Sequence, residues 1–273
     1  MEQTSNSTRP ASLGVSILTA LAMAVAIFGA FLGSGALGGT SVNDSAGGWL
    51  DTNSTLLSPA GTAFSIWSFI YLGLVVYAIW QFFPQARSSA LQRELRAWII
   101  ASALLNAAWI GVVQLDSLPG SLVVILLLLV TLIRIMLLLI RTPANTTFER
   151  WLMWIVFGVY LGWVNVAAIA NTSALLGSLG VGEGESWITG AAVALLAVAA
   201  LIALLTTWYN RGHLGVAAAM AWGIFWIGIS RQSEPNASEL VSICAFIASG
   251  VIVLGALALR FLLPRRAAQG IDQ

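Results

Sequence analysis

The chain has 273 residues, of which 59% are hydrophobic and only 8% are charged, and its formal net charge is +1. Soluble domains carry charge on roughly a quarter of their residues, so the composition excludes an ordinary soluble domain. The small net charge gives no reason to expect nucleic acid as a partner. Apolar runs of about 20 residues recur, the length at which a helix crosses a bilayer, and they predict an all-α polytopic membrane bundle.

Eight apolar runs predict about eight transmembrane helices within a single membrane domain, 1–273. In chain order they cover residues 12–34, 61–83, 96–115, 118–141, 151–172, 187–208, 213–230 and 239–263. Turn-forming residues separate the runs. The first run is apolar and ends in small residues, as a signal peptide does, but it is longer than the usual apolar region of a signal peptide, and Arg9 is the only basic residue before it. We therefore expect it to be retained as a span.

Arginine is distributed unevenly between the two sides of the predicted bundle. Ten of the twelve basic residues, all Arg, lie on the side of the two termini, and one, Arg231, lies on the other. Cytoplasmic loops concentrate basic residues, so this pattern requires an even number of spans and predicts that both termini are cytoplasmic. The expected location is a bacterial cytoplasmic membrane, with membrane lipid as the surrounding partner. Arg231 is expected to pair with Glu234 or Glu239.

The longest predicted connection, 35–60, precedes the second span. It is rich in Gly, Ser, Thr and Asn, contains no basic residue, and carries Trp49 in its middle. Two interpretations remain open. The segment is either a connector whose Trp49 lies at the membrane interface, or a lid folded over a cavity, since long loops in compact proteins are often functional.

Aromatic and polar residues form stripes on three of the predicted spans. An indole carries one N–H donor that needs a partner when it is buried, and polar groups avoid lipid. Spacings of three and four residues place each stripe on one helical face, in or near the outer half of the bundle. They predict either a pocket or contacts between helices, and the spacing leaves both open. The stripes are Phe64, Trp67 and Tyr71; Asn106 and Trp109; and Tyr160, Trp163, Ala167 and Asn171.

These stripes resemble the motifs of the TspO/MBR family, the tryptophan-rich sensory proteins related to the mitochondrial translocator protein. Residues 160–171 are similar to the signature Tyr-x2-Trp-x3-Ala-x3-Asn at every named position, and 105–109 to Leu-Asn-x2-Trp. The entry to the second span differs, because only Pro59 of the usual proline pair is present and the following Phe-to-Trp gap is one residue shorter. Val159 stands where the family has proline. Residues 60–67 are typical of longer bacterial relatives.

The resemblance implies a TspO-like five-helix bundle over 12–175 with a pocket for porphyrins, and in animals for sterols and drug-like molecules. A three-helix extension, 176–264, would then follow. The resemblance makes the residues of the three stripes ligand-binding positions. If the connector 35–60 is a lid, Trp49 is its candidate lid residue.

Porphyrin or haem is the expected ligand, no cofactor is required, and a sensor or transport-aid role follows. A porphyrin propionate is the alternative partner of Arg231. The small Ala167 leaves room for a flat ligand beside Trp163.

Other functional classes find less support in the sequence. It contains no zinc-protease, nucleophile-elbow or phosphate-loop motif, and His213 and Cys244 are the only residues of their types, so neither a catalytic set nor a metal site is expected. A secondary transporter or channel is one alternative, with Arg134 inside the fourth span as its candidate, although a long side chain at that depth also reaches the interface. A membrane enzyme acting on porphyrin is another. The oligomeric state stays open, a homodimer included.

Overall fold

The computed structural model describes residues 11–33, 45–182 and 185–263. Within these ranges all regular structure is helical. Two short 3-10 turns, Ala46–Gly48 and Gly61–Ser65, precede the second helix. The α-helices are α1 (Leu13–Gly33), α2 (Ile66–Trp80), α3 (Pro84–Ser88), α4 (Ala90–Gln114), α5 (Leu118–Arg141), α6 (Thr147–Ser178), α7 (Trp187–Tyr209), α8 (Gly215–Ser230) and α9 (Glu239–Leu262).

The predicted polytopic all-α bundle is confirmed. In the described part of the chain, seven helical stretches are long and apolar enough to cross a membrane. The predicted span 213–230 forms α8, which has only 16 residues. At 1.5 Å per residue α8 is about 24 Å long, slightly less than the roughly 30 Å thickness of a hydrocarbon core.

Two helices begin earlier than hydropathy predicts. The predicted span 96–115 belongs to a helix that starts at Ala90, and the predicted span 151–172 lies within the 32 residues of α6. Hydropathy marks the part of a helix that lies in lipid, whereas capping decides where the helix begins. The side chain of Ser89 accepts a hydrogen bond from the backbone N–H of Gln92, and Thr146 accepts one from that of Glu149. These caps lie outside the apolar runs.

The helix α6 is the central element of the bundle. Its most apolar window is 72% buried, against 28–39% for the other six spans. It packs against α2, α5 and α8, while α4 packs against α1 and α5. The helices α7 and α9 pack against each other and against α8. The C-terminal helices therefore join the rest of the bundle mainly through the contact between α6 and α8.

Glycine on both helices lets α6 and α8 approach closely. A Cβ atom added to Gly162 would lie 2.3 Å from the carbonyl oxygen of Val216, and one added to Gly158 would lie 3.2 Å from the Cα atom of Gly215. Both neighbours are backbone atoms, which cannot rotate out of the way. Small residues permit this kind of close contact between membrane helices.

A buried polar cluster joins α2, α4 and α6 at the end of the bundle where α6 begins. The carboxylate of Glu149 accepts hydrogen bonds from Ser89 Oγ (2.6 Å), Gln92 Nε2 (2.9 Å) and the backbone N–H of Asn145 (2.7 Å). The Tyr77 hydroxyl donates to Gln92 Oε1 at 2.9 Å. A carboxylate is tolerated inside a protein when its oxygens are hydrogen-bonded in this way.

Arg134 has an aromatic partner on the neighbouring helix. Its guanidinium carbon lies 5.8 Å from the centre of the Trp98 ring, within the range of a cation–π contact. Trp98 and Arg134 are about equally far along the chain from the turn between α4 and α5, so the two residues lie at a similar depth in the bundle. The snorkelling interpretation of Arg134 stays a prediction.

Candidate functional site

A small cavity lies where α4, α6 and the entry to α2 meet. The cavity has a volume of about 30 Å³. Seven of the ten candidate site residues, including Trp49, lie in its wall. The complete lining is Trp49, Leu50, Ser58, Pro59, Phe64, Trp67, Trp109, Trp163, Val166, Ala167, Ala170 and Asn171.

The other three candidate residues form a hydrogen-bonded chain between helices. The Tyr71 hydroxyl donates to Asn106 Oδ1 at 3.1 Å, and Asn106 Nδ2 donates to the Tyr160 hydroxyl at 2.9 Å. The Tyr160 hydroxyl in turn donates to the carbonyl of Ser102, at 3.4 Å. Asn106 and Tyr160 are fully buried. The chain ties α2, α4 and α6 together directly beside the cavity wall.

Trp67 connects this chain to the cavity. Its indole stacks on the Tyr71 ring, with centroids 5.4 Å apart, and meets the Tyr160 ring edge-on at 5.7 Å. It also meets Trp163 edge-on at 6.3 Å, and Phe64 packs edge-on against Trp163 at 5.6 Å. Edge-to-face contacts between aromatic rings are favourable, so the aromatic wall is well packed.

Two indoles in the wall have no hydrogen-bond acceptor. The Nε1 atoms of Trp109 and Trp163 are buried and without a partner among the described residues. The two side chains are only 6% and 1% exposed. A buried donor without a partner costs about 1–3 kcal/mol. The wall therefore offers two N–H donors and no charged side chain.

Asn171, by contrast, has partners on its own and on a neighbouring helix. Its Oδ1 accepts a hydrogen bond from Ser121 Oγ on α5 at 2.8 Å, and its Nδ2 donates to the Ala167 carbonyl at 3.4 Å. The orientation of this amide is thus held by α5. Asn171 thus lines the cavity with one N–H and one lone pair of its amide already engaged.

Residues 49–60, which we call the lid segment, cover the cavity. Trp49 lies against Gly177 of α6, where an added Cβ would come within 2.9 Å of the Trp49 ring atom Cζ3. Ser58 Oγ lies 2.9 Å from Ser54 Oγ and 3.0 Å from Thr55 Oγ1, which folds the segment into compact turns. Trp49 therefore lies in the cavity wall, and its role as a lid stays a prediction. Residues 34–44 of the predicted connector lie outside the described residues.

The end of α8 contacts the lid segment, which the sequence did not predict. Arg231 is 1% exposed, and its Nη2 donates to the Thr52 carbonyl at 2.7 Å while Nη1 donates to the Asn236 carbonyl at 3.2 Å. It forms no ion pair with any carboxylate in the described ranges, so the predicted pairing with Glu234 or Glu239 is wrong. The side chain turns inward to loop carbonyls instead. Burial lowers the pKa of Arg231 below its usual value.

His213 lies apart from the cavity lining. Its imidazole stacks on the Trp154 indole, with ring centroids 3.7 Å apart and an interplanar angle of 1°. Burial, and then the positive charges of Arg260 and Arg150, lower the pKa of His213 to about 4. Within the described ranges, no group of three or more His, Cys, Asp or Glu side chains is placed to hold a metal ion.

Comparison with known proteins gives one match. A family model described as TSPO-like protein matches residues 16–258. The match crosses residue 175 and so includes both the predicted five-helix part and the predicted extension, whose division stays a prediction. None of the curated proteins and none of the solved structures matches the chain.

Proposed function

The chain belongs to the TSPO-like protein family and is an integral membrane protein, and from this premise we propose that it binds a flat, apolar, porphyrin-like molecule beneath the lid segment. This is the family that the sequence motifs resemble. The proposed role is that of a sensor or transport aid in a bacterial cytoplasmic membrane, with both termini on the cytoplasmic side.

The unpaired indole donors in the cavity wall carry this proposal. Trp109 and Trp163 each bury an N–H group that has no acceptor among the described residues, and both line one cavity. Each unpaired donor costs about 1–3 kcal/mol. A ligand with carbonyl or carboxylate oxygens recovers that energy when it accepts from them.

The shape and chemistry of the wall favour a flat ligand. The rings of Phe64, Trp67 and Trp163 line the cavity, and two small side chains of α6, Ala167 and Ala170, lie in the same wall. Aromatic faces stack on planar conjugated molecules, and small residues leave room beside them. The hydrogen-bonded chain beside the wall holds Trp67 in place, so the binding surface is preorganised.

The lid segment must move for such a ligand to enter. Sites for drug-sized molecules have volumes of about 300–1,000 Å³, whereas this cavity offers about 30 Å³. The helices are tied together by buried hydrogen bonds, but the lid segment contributes Trp49, Leu50, Ser58 and Pro59 to the wall without being part of a helix. Displacing it opens the cavity with the least loss of packing. We take the described conformation as the closed form.

Porphyrin titration tests the proposal. Protoporphyrin IX is added to purified protein in detergent, and both the porphyrin absorbance and the tryptophan fluorescence are followed. We expect saturable binding that Trp109→Phe and Trp163→Phe each weaken about three- to tenfold, since each removes one hydrogen-bond donor and keeps an aromatic ring. Trp208→Phe, at an exposed position of α7, is the matched control. Absence of saturable binding, or equal affinity in all four proteins, contradicts the proposal.

A further inference from the structure

The lid segment is attached at its centre to the end of α8. Arg231 Nη2 and Ser230 Oγ both donate to the carbonyl of Thr52, at 2.7 and 3.0 Å. Just beyond α8, the side-chain amide of Asn236 donates to the carbonyl of Asn53. These donors all come from one turn, 230–236, and all their acceptors are backbone carbonyls of the lid segment.

The same helix holds the far end of the lid segment. The backbone N–H of Ala60 donates to the carbonyl of Trp226 at 3.1 Å, and Trp222 Nε1 donates to the carbonyl of Ala63 at 3.0 Å. Between these two attachments lie Ser58 and Pro59, which line the cavity. Two of the four lid residues in the cavity wall therefore lie between the two contacts with α8, and the other two, Trp49 and Leu50, lie just before the first contact.

Arg231 is the strongest of these attachments. Hydrogen bonds from a charged donor are about twice as strong as neutral ones, and this guanidinium is almost fully buried. Its Nε atom has no partner among the described residues, so the lid carbonyl provides an essential part of its solvation. When the lid segment lifts, the Thr52 carbonyl loses a hydrogen-bond donor and the buried Arg231 guanidinium loses an acceptor.

We propose that Arg231 is a positioning residue that holds the lid segment closed, so that the C-terminal helices control access to the cavity. The role in access rests on the proposed function, because it requires a ligand in the cavity. The attachment itself does not, and its test needs no ligand. The proposal also gives α8 a task beyond packing.

Cysteine labelling measures lid opening directly. Leu57 is buried in the lid segment and does not line the cavity. In a Cys244→Ala background, which removes the only native thiol, Leu57→Cys reacts with a water-soluble maleimide only when the segment lifts. We expect Arg231→Gln to raise the labelling rate at least about tenfold, as expected for the loss of a charged hydrogen bond. Arg141→Gln, at an exposed arginine, is the control. Equal rates in both variants overturn the proposal.

Weaker variants keep the test decisive if Arg231→Gln does not fold. Ser230→Ala with Asn236→Ala removes two lid hydrogen bonds and retains the guanidinium. This pair should raise labelling about three- to tenfold. Arg231→Lys keeps the charge and should fall between the native protein and Arg231→Gln. If the double variant labels at the native rate, the turn 230–236 does not hold the segment and the proposal fails.

Porphyrin kinetics separate this proposal from the proposed function. The closed conformation is too small for a porphyrin, so the Arg231 attachment must break before the ligand enters. Arg231→Gln removes this step and should raise the association rate of protoporphyrin IX without weakening its Kd. A purely structural role would weaken Kd instead, and that result, or an unchanged association rate, overturns control of access. Faster labelling without porphyrin binding in any protein refutes the porphyrin ligand and leaves the attachment by Arg231 supported.

Discussion

Replacing Gly162 by alanine tests how closely α8 packs on α6. The new Cβ would lie 2.3 Å from the Val216 carbonyl oxygen and 2.8 Å from the Ala219 Cβ, so the helices must separate by roughly 1 Å to restore van der Waals distances. Overpacking of this kind costs about 1–3 kcal/mol. Alanine recovers about 0.5–1 kcal/mol because it favours the helix more than glycine does. The net expected loss of stability is about 0.5–2 kcal/mol.

Thermal unfolding in detergent, followed by circular dichroism, measures this loss. We expect the Tm of Gly162→Ala to fall by about 1–6 °C, from the usual relation between stability and Tm in chains of this size. Gly250→Ala is the matched control, since Gly250 also lies within a helix and its added Cβ meets nothing within 4 Å. That variant should be as stable as the native chain or slightly more so. Equal Tm values for the two variants would refute the close α6–α8 contact.

Three further changes have defined outcomes. Asn106→Leu leaves the buried Tyr160 hydroxyl without its main partner, and we expect a loss of about 1–3 kcal/mol in chemical unfolding. Glu149→Ala removes the acceptor of three buried or part-buried donors and should destabilise the chain by about 2–4 kcal/mol in the same assay. Because the folded-state pKa of His213 is about 4, below its usual 6.5, the folded state disfavours the imidazolium, and stability present above pH 6.5 should be lost towards pH 4. A His213→Phe variant should lose this dependence on pH. In the native chain, the fluorescence of Trp154 should change over the same pH range. Stability that stays constant between pH 6.5 and 4 in the native chain contradicts the prediction.

Periodicity predicted the helices and the wall of the cavity well, because both depend on residues within one helix. Spacings of three and four residues place Trp163, Ala167 and Asn171 on one face of α6, and all three line the cavity. The sequence left open whether the stripes form a pocket or join helices. In the structure they divide between the two: the outer residues line the cavity, and the remaining three form the hydrogen-bonded chain.

The partners of these residues could not be predicted, because they come from distant parts of the chain. Tyr71 and Asn106 are 35 residues apart, and Asn106 and Tyr160 are 54 apart. The Arg231 contact with Thr52 spans 179 residues. Charge patterns suggest an acidic partner for a loop arginine. A backbone carbonyl partner cannot be predicted in this way, because every residue has a backbone carbonyl. The helix neighbours that decide these contacts are not visible in a single sequence.

The close α6–α8 contact and the attachment of the lid segment make one connected system. The glycines of α6 set the distance between α6 and α8. The helix α8 and the turn after it in turn position the side chains, such as Trp222 and Arg231, that donate hydrogen bonds to the backbone carbonyls of Ala63 and Thr52. A shift of α8 away from Gly162 would move Arg231 relative to Thr52, because Arg231 directly follows the last residue of α8. Gly162→Ala should therefore also raise maleimide labelling of Leu57→Cys, in the same direction as Arg231→Gln. If stability falls while labelling stays native, the lid segment is held independently of the α6–α8 distance.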